Sequence, residues 1–103
     1  MILTTTDTIE GKTIIAYHGI IATQVVVGTN FINDMLSSVT DFLGGRSSSH
    51  EQELNQARQQ AQNNLSVQAT NLGASAIVGV RVDYEAINQM LMVSITGTTV
   101  TVA

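Results

Sequence analysis

The hydrophobic positions of the chain follow a strand pattern first and a helical pattern afterwards. Residues 2–5 and 13–27 are rich in Ile, Val and Thr, a composition typical of β-strands. The second run is almost continuously apolar, which predicts a strand covered on both faces, and Gly19 suggests a bulge or bend within it. Residues 31–43 then repeat apolar side chains at helical spacing, beginning with Phe31, and predict a short amphipathic helix.

A second, longer helix is predicted after a glycine pair. Gly44 suits a left-handed cap at the end of the first helix, and the serines at 47–49 offer the N-terminal cap of the next. Gly73 marks the end of this second helix. Its apolar stripe consists of Leu54, Ala57, Ala61, Leu65, Ala69 and Leu72. The other helix face is mostly Gln and Asn, so it is either solvated or packed against a neighbouring subunit.

The C-terminal part of the chain predicts a β-hairpin. From Val78 to Glu85 apolar and polar residues alternate, and residues 90–102 alternate again. Residues 86–89 supply the turn, so the two strands are predicted to be antiparallel. The element order is then β-β-α-α-β-β. It predicts one α+β domain over residues 1–103, with an antiparallel β-sheet backed by two helices.

Composition adds an expectation about assembly. Only 12% of the residues are charged, against a usual value of about 25%, while 44% are apolar. A small domain has a large surface for its volume and normally covers that surface with charge. We therefore expect further copies of the chain to cover part of the surface, which means a homo-oligomer.

The same composition disfavours several classes of function. The formal net charge is −4 with 4 Lys and Arg residues, so no nucleic-acid partner is expected. The most apolar stretch is shorter than the ~20 residues of a membrane helix, so no membrane partner is expected either. The N-terminus lacks the pattern of a signal peptide, and we expect a cytoplasmic location. The absence of cysteine excludes thiolate catalysis and thiolate metal ligands.

Four residues are candidate ligands for a divalent metal ion. Asp83 and Glu85 lie on one face of a predicted strand, about 6–7 Å apart, where they could share a cation or act as an acid–base pair. Arg81 on that face offers a simpler interpretation, a salt-bridge ladder. His18 fits either a hydrogen-bonded core residue or a metal site built by several copies around a symmetry axis. His50 begins the long helix, where helix-end electrostatics is the alternative to metal binding.

The loop between the two predicted helices is a candidate anion site. Gly45, Arg46, Ser47 and Ser48 combine free backbone N–H groups at a helix start with a guanidinium group, which suits a phosphate or carboxylate. The alternative is a plain helix connector in which glycine and serine serve only as caps. The sequence leaves both interpretations open.

Several short segments, taken in their order and spacing, resemble a known family. They are Thr4-Thr5-Thr6, Gly28-Thr29-Asn30, Gly44-Gly45-Arg46, Leu72-Gly73-Ala74, residues 76–79, Asp83-Tyr84-Glu85, residues 90–93 and Gly97-Thr98. Together they are similar to the YbjQ-like family of small bacterial and archaeal proteins, described as uncharacterised or as heavy-metal-binding. The resemblance covers the whole chain. It implies an α+β subunit assembled as a ring-shaped homopentamer, in which strands from the subunits close a central barrel.

The sequence therefore favours a cytoplasmic homo-oligomer that binds a divalent metal ion. Nothing points strongly to an enzyme, because the chain has no nucleophile elbow, no phosphate-binding loop and no metalloprotease spacing. Two alternatives stay open. One is a ring that binds a small anionic metabolite through Gly44-Gly45-Arg46. The other is an enzyme whose site lies between subunits and uses Asp83 or Glu85 as a base.

Overall fold

The computed structural model describes residues 1–28, 48–88 and 90–103. Its elements are β1 (Ile2–Leu3), β2 (Ile14–Val27), α1 (Ser48–Asn71), β3 (Ala76–Ile87) and β4 (Met90–Val102). The strands form a single sheet in the order β1-β3-β4-β2. The helix predicted over residues 31–43 lies outside the described residues, so the described part of the chain contains one helix where two were predicted for the whole.

The sheet is mixed, which corrects the prediction of an antiparallel sheet. β2 and β3 each pair with β4 in the antiparallel sense, whereas β1 runs parallel to β3 with Ile2 opposite Ala76. The sequence contains no turn pattern that would predict the pairing of β1 with β3, because β2 and α1 lie between these two strands along the chain. The α+β class is confirmed.

A tight turn joins β3 to β4. Asn88 has a φ of 48°, in the left-handed region that asparagine tolerates in hairpin turns. β3 therefore continues as far as Ile87. The turn predicted over residues 86–89 was too long, because the sequence pattern did not show that Ala86 and Ile87 still pair with β4.

A bulge in β3 breaks the alternation that the sequence predicts. The pairing with β4 shifts between Val78 and Arg81, where Gly79 has a φ of 60°. Val78 packs in a cluster on one face of the sheet, while Val80 packs beneath α1 on the other face. The prediction that these two valines share a face is therefore wrong. From Arg81 onward the pairing is regular.

The helix α1 covers one face of the sheet, called the helix face below. Leu65 and Ala69 are fully buried in its stripe and pack against apolar residues of β2, β3 and β4. Leu72, predicted to belong to the stripe, is 48% exposed. Gly73 has a φ of 80° and the N–H of Ala74 donates to the oxygen of Ala69, so the helix ends before Leu72 can follow the stripe. Within the described ranges, no helix combines the length and apolar character needed to cross a membrane.

The opposite face, called the open face below, is covered by other described residues only at one end. There Ile9, from the segment before β2, packs against Val78 and Val100. Further along the sheet, Ile20 is 82% and Val26 is 56% exposed. The prediction that β2 is covered on both faces is therefore not met within a single described chain.

Two bulges lie in the first half of β2. Its pairing with β4 shifts after Ile14 and again after Tyr17. At the second shift Gly19 has a φ of 112°, and the hydroxyl of Thr99 donates to its carbonyl oxygen at 2.8 Å. The bulge predicted at Gly19 is confirmed. Residues 20–27 then pair with β4 without a shift.

Candidate functional site

The two candidate carboxylates lie on the open face of the sheet. Asp83 is opposite Ser94 in β4, and Ser94 points away from α1 because its neighbour Ile95 packs beneath the helix. Glu85 shares this face, two residues further along β3. Both carboxylates are exposed. In the described part of the chain neither forms an ion pair with Arg81, so a single chain does not form the predicted salt-bridge ladder.

His18 lies at the second bulge of β2 and meets β4 on the helix face. Its Nε2 atom is 2.6 Å from the hydroxyl oxygen of Thr101. Thr101 follows Ile95 by an even number of positions in a regular strand, so both point to the helix face. The ring is exposed rather than buried, contrary to the core alternative. The hydrogen bond occupies Nε2 and leaves Nδ1 available.

No pattern in the sequence indicated the contact between His18 and Thr101. The two residues are 83 positions apart in the chain, and only the pairing of β2 with β4 brings them together. Threonine is also frequent in this strand, so nothing in its pattern marks Thr101 as special. Strand register, which single-sequence patterns do not specify, was the missing information.

The sheet keeps the predicted metal ligands apart. His18 meets β4 at Thr101 and Asp83 pairs with it at Ser94, which places them about 24 Å apart along the strand. They also lie on opposite faces. Since a divalent ion holds its ligands at about 2.0–2.6 Å, His18 and the two carboxylates cannot share an ion within one chain.

His50 lies in the first turn of α1, and its side chain is outside the described residues. This end of α1 adjoins the end of β2, where Val27, Glu53 and Gln56 help to line an open groove of about 270 Å³. His18 is near the other end of β2. The role of His50 stays a prediction, but its backbone position separates it from His18.

The donors present do not fit a divalent metal ion within the described part of a single chain. No group of three or more His, Cys, Asp and Glu side chains there could hold an ion. The whole chain has no cysteine, so soft metal ions find no thiolate. The remaining oxygen and imidazole donors suit borderline or hard divalent ions, and those described in one chain do not lie together.

The predicted anion site falls outside the described residues. Gly45, Arg46 and Ser47 precede α1. Ser48 is the first residue of α1, and its side chain is likewise outside the described part. Anion binding at this loop stays a prediction.

The whole chain is similar to known proteins. A family model described as “Putative heavy-metal-binding” matches residues 1–103. The chain is 47% identical over 102 residues to a UPF0145 protein of Persephonella marina, and this match covers 99% of each protein. It is also similar to the crystal structure of a protein of unknown function from Pediococcus pentosaceus, assigned to the DUF74 family. That structure has a TM-score of 0.63 and 17% identity, with 100% of this chain and 98% of the other covered, a likeness of fold alone.

Proposed function

Because the chain belongs to the YbjQ family, whose model matches it over its whole length, we propose that it is the subunit of a homo-oligomer which binds a divalent metal ion between its subunits. Five subunits is the number that the resemblance implies. The proposal assigns metal binding to the assembly and not to the single chain.

The exposed apolar side chains of β2 carry the proposal of self-assembly. Ile15 is 62%, Tyr17 is 72% and Ile20 is 82% exposed in a single chain. Fully burying a large apolar side chain contributes about 1.5–3 kcal/mol, so their exposure in an isolated chain leaves substantial free energy unused. A row of such residues on a surface of low charge is typical of an interface.

The separation of the candidate ligands supports a site between subunits. One chain offers an imidazole at one place and two carboxylates at another, about 24 Å away along the sheet. In a closed oligomer the symmetry repeats each of these groups, so copies of one residue type can meet where a single chain has only one. Such a site would hold fewer than one ion per chain.

Light scattering tests the assembly. At micromolar concentration we expect a mass near five times the 11.0 kDa of one chain. Native mass spectrometry of protein purified without chelator would report the number of chains and any bound mass together. A stable monomer at these concentrations would contradict the proposal.

Calorimetric titration of the assembled protein with zinc, nickel and copper(II) tests the metal. We expect saturable binding of fewer than one ion per chain. The sheet places His18 and the carboxylates on opposite faces. Two double variants are compared, His18→Ala/His50→Ala and Asp83→Asn/Glu85→Gln. Only one of them should lose metal binding. Heat no greater than nonspecific background, or binding retained by both variants, would eliminate these ligands.

The proposal includes the cytoplasmic location expected from the sequence. Fractionation of cells that express the protein, followed by detection with an antibody, would test it. Recovery of the protein from a secreted fraction would contradict this part of the proposal and leave the assembly untouched.

A further inference from the structure

Within the residues that the structure describes, the sheet has two unpaired edges. The outer edge of β2 has no neighbouring strand in the described part of the chain. At the other side of the sheet, the N-terminal segment covers only the beginning of β3. The N–H of Gly79 donates to the oxygen of Thr6 at 2.8 Å, and the N–H of Val80 donates to the oxygen of Thr4 at 3.0 Å. From Arg81 to Ile87 the outer edge of β3 has no partner among the described residues.

These two free edges lie at the same position along the strand direction of the sheet. Asp83 in β3 is opposite Ser94 in β4, and Ser94 is opposite Gln24 in β2. The free part of β3 and residues 20–27 of β2 therefore occupy the same section of the sheet. Both segments are also free of bulges, because the shifts in β2 come before residue 20 and the shift in β3 comes before Arg81.

The two edges also run in the same direction. β2 and β3 are each antiparallel to β4, so they are parallel to each other. Rotation about an axis roughly along the strands places β3 of one copy beside β2 of the next, with the two strands parallel. Repetition of this contact uses both free edges of every chain and closes without an unpaired strand. A two-fold axis would instead pair β2 with β2 in the antiparallel sense and leave both β3 edges unpaired.

Residues 20–27 lack the sequence features that normally protect an edge strand, although Nε2 of Gln68 in α1 donates to the oxygen of Ala22 at 3.1 Å. Natural proteins place charged residues, proline or bulges on free edges, because an unprotected edge pairs with other chains. This segment contains neither a charged residue nor a proline, and its pairing with β4 is regular. The opposite edge, from Arg81 to Ile87, does carry charged residues. In the head-to-tail arrangement an uncharged edge therefore pairs with a charged one.

We infer that residues 20–27 of β2 pair in parallel with residues 81–87 of β3 in the next copy of the chain. This inference rests on the proposed self-assembly and deepens it, because it names the two surfaces and their relative direction. It places Asp83 and Glu85 at the junction between copies, on the open face of a continuous sheet.

Cysteine cross-linking distinguishes the two arrangements, since the natural chain has no cysteine. The double variants combine Gln24→Cys with Arg81→Cys, Asp83→Cys or Glu85→Cys, all at exposed positions of the open face. The three partners sample the register in steps of two residues, which keep the side chains on one face. After treatment with a short bismaleimide, at least one double variant should give a ladder of dimer, trimer and larger species on a denaturing gel.

The matched controls are the single variants Gln24→Cys and Asp83→Cys, which cannot form a ladder. A strong dimer from Gln24→Cys alone would show two-fold pairing of β2 and overturn the inference. Assembly by light scattering without cross-linking in any double variant would overturn it too, and leave the proposed oligomer standing. A monomer by light scattering would defeat both.

Hydrogen exchange of the natural protein gives a second test that needs no variant. In the head-to-tail arrangement, amides of both residues 20–27 and residues 81–87 should exchange more slowly in the assembly than in dissociated protein. Protection gained by residues 20–27 alone would match two-fold pairing and overturn the inference.

Discussion

Replacing Ile20 by lysine should weaken the assembly without unfolding the chain. Ile20 is 82% exposed in a single chain, so the folded subunit loses little when this side chain changes. In the assembly the same side chain is expected to be covered by a neighbouring copy. The substitution then removes most of the 1.5–3 kcal/mol that full burial of isoleucine contributes, roughly 2 kcal/mol at each interface.

A loss of about 2 kcal/mol corresponds to a roughly 30-fold weaker association at each interface. In the proposed ring, symmetry repeats the change at every interface and brings the new charges near one another. The assembly should therefore dissociate over a dilution series in which the natural protein stays assembled. Analytical ultracentrifugation over that series measures the shift. Circular dichroism should show the same melting temperature for Ile20→Lys and for the natural protein when both are monomeric.

Val67→Lys is the matched control for this prediction. Val67 is 59% exposed on α1, outside the two strand segments proposed to pair, and its replacement adds the same charge. It should leave the assembly intact. Equal masses for Ile20→Lys and the natural protein at every dilution, or equal dissociation of both variants, would refute the reasoning.

Two further predictions concern the sheet itself, and urea denaturation measures both. Gly97→Ala places a methyl carbon 2.5 Å from Cγ2 of Ile77 and should destabilise the fold by about 1–3 kcal/mol. Gly28→Ala meets no atom of the described residues within 4 Å and should change stability little. Thr99→Val leaves a carbonyl oxygen at the β2 bulge without its 2.8 Å hydrogen bond and should cost about 1–3 kcal/mol; equal stability of this variant and the natural protein would show that water replaces the hydroxyl.

Local patterns predicted the elements whose signals lie within one segment. The strand character of β2 and β4 follows from their β-branched residues, and the stripe of α1 is confirmed by the complete burial of Ala61 and Leu65. The prediction that Leu72 belongs to the buried stripe was wrong, because residue spacing does not show where a helix ends. The geometry at Gly73 decides that point.

Relations between distant segments could not be predicted in the same way. The pairing of β1 with β3 joins segments more than seventy residues apart and leaves no turn signature. Whether His18 and Asp83 lie on the same face of the sheet depends on the strand order and on the number of bulges in the strands that carry them. A single extra residue reverses the face of every side chain that follows it. The candidate ligands could therefore be named from the sequence, but their separation could not.

The position of β2 at the end of the sheet has a consequence for synthesis in the cell. Among the described strands β2 pairs with β4 alone, and the ribosome makes β4 after β2. At about 5–20 residues per second, several seconds pass between the emergence of the two strands. During that time an apolar, uncharged strand is without the strand it pairs with. β2 therefore cannot join its sheet before β4 has been made, and a chain that stalls on the ribosome before β4 should aggregate or be held by a chaperone.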